Sequence, residues 1–204
     1  MVYGVFSVGS SLLGWVVPGL WAGEKDKRLV ERLYDETADI YDERYAESQR
    51  VKYVVVEDVL RGLTGSCLVL DVGGGTGLLS SFLSGARVVT VDRSRGMLSR
   101  ARGVLKVRAD ADLLPFEDSR FDIVCAFTLL QNMPDPRQTL VELLRVTKRG
   151  GWLVFSLMRS LPVFGLVVGL VPRFGRVLNQ INIGGETVFI VRKRRVLQNI
   201  FLGV

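Results

Sequence analysis

The stretch LVLDVGGGTGLL, residues 68–79, decides how the rest of the chain is read. It begins as a short apolar run of the kind that forms a buried strand, ends that run on Asp71, and passes through Gly73, Gly74, Gly75, Thr76 and Gly77 into an apolar helix. Glycines at such a turn permit positive φ and let a ligand approach the backbone. The following helix offers its unpaired amides there. Spacing excludes two common ligand classes. A dinucleotide fingerprint G-x-G-x-x-G started at Gly73 ends on Leu78, and started at Gly75 it ends on Ser80. A phosphate loop would need Lys-Ser or Lys-Thr after the last glycine, and neither follows. What remains is D-x-G-x-G-x-G, an acidic residue and a glycine turn with no built-in demand for a pyrophosphate.

Outward from this turn, apolar runs at Cys67–Val72, Arg87–Val91, Val104–Arg108, Phe121–Phe127 and Trp152–Leu157 read as strands. Helices fit the gaps at Leu78–Leu83, Arg95–Arg102 and Pro136–Val146. Such alternation predicts an α/β fold with right-handed crossovers and a mainly parallel sheet covered on both faces. Toward the C-terminus a helix is expected over Phe164–Asn179. Strands at Ile181–Ile183 and Thr187–Val191, separated by Gly184-Gly185, make an antiparallel hairpin. Upstream, the spacing of Leu29, Val30, Leu33, Ala38, Ile40 and Tyr41 predicts two helices between Asp26 and Leu63, broken near Asp39–Ala46, the second over Gln49–Leu60.

A chain of 204 residues suits one catalytic unit, residues 24–204, with residues 24–63 as N-terminal lid helices. Residues 1–23 form an uncharged apolar extension nearly long enough to span a bilayer, although Gly4, Gly9, Gly14, Pro18 and Gly19 weaken a continuous helix. Three readings stay open for it: a peripheral membrane anchor, a helix packed on the domain, or a mobile extension. The formal charge of +6 would attract anionic partners, RNA or acidic lipid among them. The excess lies in Arg87–Arg108 and in Arg192, Lys193, Arg194 and Arg195, the last group being the better candidate for a nucleic-acid footprint; the alternative is a solvated surface. Cys67 and Cys125 sit inside apolar runs and suggest neither a disulfide nor a metal site. The chain has no histidine, so any proton transfer uses another group.

With the glycine turn, two further segments make the chain resemble the class I S-adenosylmethionine-dependent methyltransferases, of the type that methylates quinones and other small molecules. These are TVDRSRGML, residues 90–98, and VRADADLLPFEDSRFDIV, residues 107–124, in which Ala109 replaces the family's glycine. The resemblance implies a Rossmann-like, mainly parallel seven-stranded sheet with helices on both faces and an antiparallel C-terminal hairpin. It implies S-adenosyl-L-methionine as cofactor, with Asp71, Gly73, Gly75 and Gly77 at its methionine part. Asp92 would receive both ribose hydroxyls, and Asp110, with the Ala111 amide, would meet the adenine. Arg93, Met97, Thr128 and Tyr41 are expected around the same ligand. A carboxylate has acceptor positions for two donors at once, which gives Asp92 a physical reason.

Residues 34–42, YDETADIYD, are similar to the N-terminal helix of relatives acting on quinones and lipids, a segment that closes over the cofactor. On the acceptor side, Gln131 and Asn132 stand where such relatives often carry paired histidines. Side-chain amides orient an acceptor but are poor bases, so no catalytic base is named and catalysis rests on proximity. Asn132-Met133-Pro134-Asp135 does not match the [DNS]-P-P-[YFW] of enzymes methylating exocyclic amines. The expectation is a cytoplasmic methyltransferase of a small-molecule or lipid-like acceptor, with membrane association through residues 1–23 as a variant. An RNA methyltransferase or a non-catalytic S-adenosylmethionine-binding module are the alternatives. The oligomeric state is not legible.

Overall fold

The computed structural model describes residues 26–61, 67–83, 85–103 and 105–194. The apolar segment 1–23, the start of the strand expected at Val104 and the final arginine of the basic tail lie outside them. The chain opens with α1 (Lys27–Thr37), a 3-10 turn over Ala38–Ile40 and α2 (Tyr41–Arg61). Then come β1 (Leu68–Val72), α3 (Leu78–Phe82), β2 (Arg87–Asp92), α4 (Arg95–Arg100), β3 (Leu105–Arg108), β4 (Phe121–Ala126), α5 (Pro136–Val146), β5 (Thr147–Met158), α6 (Phe164–Phe174), β6 (Gly175–Ile183) and β7 (Glu186–Lys193).

The seven strands form one sheet in the order β3-β2-β1-β4-β5-β7-β6. Neighbours among β1 to β5 pair in parallel, while β7 runs antiparallel to both β5 and β6. Side-chain alternation divides the core between the two faces. Leu70, Val72, Val124 and Ala126 pack with Leu140, Leu143, Val167 and Val171 of α5 and α6. Val69, Ile123 and Cys125 pack with Tyr53, Val56 and Val59 of α2 and Leu79 of α3. α5 starts where its sequence says it should, with the Asp135 carboxylate accepting from the Arg137 amide and Pro136 in the first turn.

Three sequence expectations need correction. The break between the first two helices is a single 3-10 turn, and α2 begins at Tyr41 rather than Gln49. The helix expected over Phe164–Asn179 stops at Phe174, after Pro172 has removed an amide from its last turn. Residues 175–183 are strand: a Cβ on Gly175 would come within 2.5 Å of the Arg192 carbonyl, so backbone pairing with β7 governs that segment. The described part of the basic tail, residues 192–194, is also no free arm. The Lys193 side chain is buried in β7 and donates to the carbonyls of Leu144 and Thr147, both at 2.6 Å, capping α5. Arg192 lies over the Trp152 ring at 4.4 Å. The other basic cluster is largely neutralised within the fold: Arg93 and Arg108 pair with Glu31, Arg100 with Asp39, and Arg102 with Asp42.

Among the described residues no helix is long and apolar enough to cross a membrane.

Candidate active site

A cleft opens at the C-terminal ends of β1 to β4, where open α/β sheets generally take ligands. The turn after β1 forms its floor. The amides of Gly73 and Gly74 donate to the Val91 carbonyl at 2.8 and 3.0 Å, tying the turn to the end of β2. Gly73 and Gly75 have φ of +70° and +55° and line the cleft. A Cβ on Gly75 would project toward the Met97 sulfur, 3.8 Å away and also in the lining.

At the end of β2, Asp92 is clamped by the backbone: Oδ2 accepts from the Gly75 amide at 2.9 Å and Oδ1 from the Ser94 amide at 2.8 Å. Burial outweighs these bonds and raises its carboxyl to about 6. Each oxygen keeps one acceptor position. Asp110, after β3, accepts from Lys27 Nζ at 2.7 Å and Arg93 Nη1 at 2.9 Å. Burial opposes its ionisation, but the bonds from Lys27 and the Asp112 amide hold it below the ordinary carboxylate value. Ala111 sits beside it in the lining.

The roof is α1 with the start of α2. Lys27, Glu31 and Asp35 recur every four residues and so share one face of α1. Lys27 holds Asp110 and Asp112, while Glu31 takes Arg93 Nε and Arg108 Nη2, both at 2.8 Å. Asp35 accepts from Ser94 Oγ and the Gly96 amide. Gly96 allows that approach, since a Cβ there would lie 3.0 Å from the Asp35 backbone. No residue of α1 is buried throughout, and beside the half-buried Val30 and Tyr34 the polar ties do much to fasten this helix. Tyr34 and Tyr41 close the cleft from above; burial, with the charge of Asp92 nearby, raises the Tyr34 phenol to about 12.

Beyond the glycine turn lie Phe127, Thr128, Leu129, Asn132 and Met133, following β4. Asn132 Nδ2 donates to the Tyr34 hydroxyl at 3.0 Å and to the Thr128 carbonyl at 3.1 Å.

Of the residues singled out in the sequence, the structure brings Tyr41, Gly73, Gly75, Asp92, Arg93, Met97, Asp110, Ala111, Thr128 and Asn132 to one cleft. It does not bring Asp71, Gly77 or Gln131 there. Asp71 points to the α2 face, buried under the turn, where a Cβ on Gly74 would meet its Oδ2 at 2.4 Å; burial raises its carboxyl to about 7. Gly77, at φ +73°, packs against the Arg102 amide at a projected 3.1 Å, and Gln131 is buried in a 3-10 turn. Sequence reasoning missed Lys27, Glu31 and Ser94. Tyr34 entered it only as the first residue of the segment 34–42 that resembles one closing over the cofactor.

Comparison with known proteins agrees with this geometry. A family profile described as "Methyltransferase domain" matches residues 70–155. A demethylmenaquinone methyltransferase of Thermobifida fusca (strain YX) is 38% identical over 173 residues, covering 72% of this chain and 72% of the relative. One of Clavibacter sepedonicus is 44% identical over 104 residues, covering 47% of this chain and 42% of the relative, so the chain spans less than half of that protein's length. Among solved structures, magnesium protoporphyrin IX methyltransferase from Synechocystis PCC 6803 with bound S-adenosylmethionine superposes with a TM-score of 0.67 at 19% identity. It covers 84% of this chain and 99% of that one, which establishes the shared fold. With a strand-end cleft of this kind and a relative of this identity matched over most of its length, the chain belongs to the class I S-adenosylmethionine-dependent methyltransferases.

Proposed function

We propose that the cleft holds S-adenosylmethionine along the ends of β3, β2 and β1, and presents its methyl group to a hydroquinone-type small molecule lying beyond β1, against the end of β4. The observation that carries this reading is the order of groups across adjacent strand ends: Asp110, Asp92, Gly73 and Gly75, then Thr128 and Asn132, all lining one cleft. Strands about 4.8 Å apart place Thr128 roughly 14 Å from Asp110, a span suited to an extended nucleoside–amino acid conjugate.

The residues fit that cofactor. Asp92 has two acceptor positions left for vicinal hydroxyls, and Asp110 Oδ2 has one left for an amine. The floor at Gly73 and Gly75 lacks the Cβ atoms that would fill it. When bound, the cofactor supplies an electrophilic methyl group on a sulfonium. The chain's own contribution is positioning and exclusion of water. Tyr34, Tyr41 and Val30 cover the cleft, Phe127, Leu129 and Met133 give it an apolar wall, and Asn132 orients the Tyr34 hydroxyl.

The hydroquinone class is supported by the two curated relatives, each named a demethylmenaquinone methyltransferase, and by the apolar wall. An uncharged apolar segment at 1–23 suits an acceptor that partitions into lipid. Its deletion tests whether recovery of the protein with membranes depends on it. The RNA alternative loses support, because the basic cluster and Lys193 are engaged within the fold.

The test uses methyl-labelled S-adenosylmethionine with a reduced 2-prenyl-1,4-naphthohydroquinone, phospholipid vesicles, bulk tRNA and a protein extract in parallel. Label is expected in the hydroquinone. Label confined to any other fraction overturns this reading.

A further inference from the structure

Behind the cleft wall lies a buried polar set for which cofactor binding has no use. Lys52, inside the apolar run of α2, is 4% exposed. Its Nζ donates to Glu186 Oε1 and Oε2 at 3.1 and 3.2 Å, and to Thr128 Oγ1 at 2.8 Å. Gln49 is one turn earlier and also buried; its Nε2 donates to Thr128 Oγ1 at 3.2 Å and to the Tyr41 hydroxyl at 3.5 Å.

A threonine hydroxyl has two acceptor positions and one hydrogen. At Thr128 both positions are filled from behind the wall, by Lys52 and Gln49. Among the described residues its hydrogen has no acceptor, and Thr128 lines the cleft. With Gln49 turning Nε2 to Thr128, and its Oε1 buried without a partner among the described residues, that hydrogen is left for whatever occupies the cleft. Tyr34 and Tyr41 stand alike, each accepting from an amide and neither donating to a described residue. The orientation of Thr128 is over-determined. Its backbone sits at φ +55°, where a β-branched residue is strained, with its amide held by Ser156 Oγ at 2.9 Å and its carbonyl by Asn132. Strain of this kind persists only where surrounding bonds enforce it. A hydroxyl that accepts from an ammonium group is also a better donor than an isolated one, because successive hydrogen bonds polarise one another.

We propose that Thr128, polarised by the positioning residue Lys52, donates a hydrogen bond to an anionic ring oxygen of the methyl acceptor, flanked by the hydroxyls of Tyr34 and Tyr41. The cleft then selects hydroxyarenes bound as oxyanions, their hydroxyl proton lost to solvent, and the oxyanion is nucleophilic at its ring and its oxygen without a general base from the chain. This inference rests on the hydroquinone reading above.

The probe is 4-methoxy-1-naphthol, which has a single ionisable hydroxyl and cannot be oxidised to a quinone without losing its methyl ether. Its naphtholate absorbance is titrated on the protein saturated with S-adenosylhomocysteine. In wild type the bound naphthol should ionise at lower pH than in water. Thr128→Val should raise the bound value by about one unit, a tenfold weaker hold on the oxyanion. Thr128→Ser should restore it. Lys52→Met combined with Glu186→Gln, which leaves no lone buried charge, should move it the same way as Thr128→Val while melting curves report folding. A wild type that does not bind the naphthol, or binds it without lowering its ionisation, overturns the hydroquinone reading and this inference with it. A lowered value that Thr128→Val leaves unchanged overturns this inference alone. So does a Thr128→Val variant that weakens S-adenosylhomocysteine but not 5′-methylthioadenosine, since the hydroxyl would then serve the cofactor's carboxylate.

Discussion

Replacing Asp92 by alanine separates ligand binding from folding, because the structure sets two opposing contributions against each other in the unliganded protein. The carboxylate accepts two backbone amides, yet burial outweighs those bonds and displaces its ionisation from 3.8 to about 6, so holding the charge at neutral pH costs about 3 kcal/mol net. Removing the group relieves that net cost but leaves the Gly75 and Ser94 amides without their acceptor, about 1–3 kcal/mol each, and unliganded Asp92→Ala should melt within about 2 kcal/mol of wild type. Ligand affinity has no such offset. Two ribose hydroxyls lose a shared acceptor, and S-adenosylhomocysteine should bind at least tenfold more weakly at pH 7.5, about 1.4 kcal/mol or more. The pH profile is the sharper readout. Only the ionised carboxylate accepts both hydroxyls, so wild-type affinity should be flat above pH 7, bend near 6 and fall to about one tenth at pH 5. Asp92→Ala should lack that bend. Asp71 titrates in the same range and is raised in part by the charge of Asp92, so Asp71→Asn and the Asp71→Asn, Asp92→Ala double variant are titrated in parallel to separate the two groups. Calorimetric titration from pH 5 to 8, with melting curves at each pH, measures all of this. Equal affinities in two folded proteins, or identical pH profiles, refute the assignment of Asp92.

Asp71 predicts a pH dependence of stability. Its folded value of about 7 exceeds the unfolded 3.8, so the native state holds a proton that the unfolded chain releases, and stability should fall as pH rises from 4 to 7 by on the order of 2–4 kcal/mol. Asp71→Asn should flatten that slope in denaturant titrations. Lys193→Met takes one buried donor each from the Leu144 and Thr147 carbonyls and should lower unfolding free energy by about 1–3 kcal/mol, read from urea midpoints at unchanged m-value. Glu31→Gln cuts the ties from α1 to Arg93 and Arg108; stopped-flow dissociation of S-adenosylhomocysteine should quicken by about fivefold, or roughly 1 kcal/mol. Added salt should quicken it in wild type and have less effect in the variant.

The parts of the fold legible in the sequence are those governed by local pattern. α5 was expected over Pro136–Val146 and occupies those residues, because cap, proline and apolar spacing agree within eleven residues. Asp92 and Asp110 were singled out through resemblance to family segments rather than by local pattern, and the structure places both in the cleft, one at the end of β2 and one after β3. The C-terminal segment was misread because Phe164–Asn179 carries helical spacing through a stretch whose partner, β7, comes later in the chain. Asp71 shows the same limit at the site: its place before the glycines implied a ligand contact, but strand alternation turns it to the α2 face, below the turn. Lys27, Glu31 and Lys52 were invisible for a related reason. A charged residue on a helix reads as solvated until its partners, 62 to 134 positions away, are known. For Lys52 one hint was present, a lysine within the run VKYVVV.

The position of β7 shapes how the chain can be assembled. This strand is the last described in sequence, yet it lies inside the sheet between β5 and β6, with Phe189 stacked on Phe155 at 4.9 Å. Until it is synthesised, β5 presents an open edge rich in apolar side chains, and Lys193 is not there to close α5. β1 to β5 pair without it, so the cleft side of the sheet can form while the opposite margin stays unsealed. A nascent or truncated chain ending near Gly175 would carry a cofactor cleft beside an edge ready to recruit a foreign strand, the situation in which aggregation competes with folding.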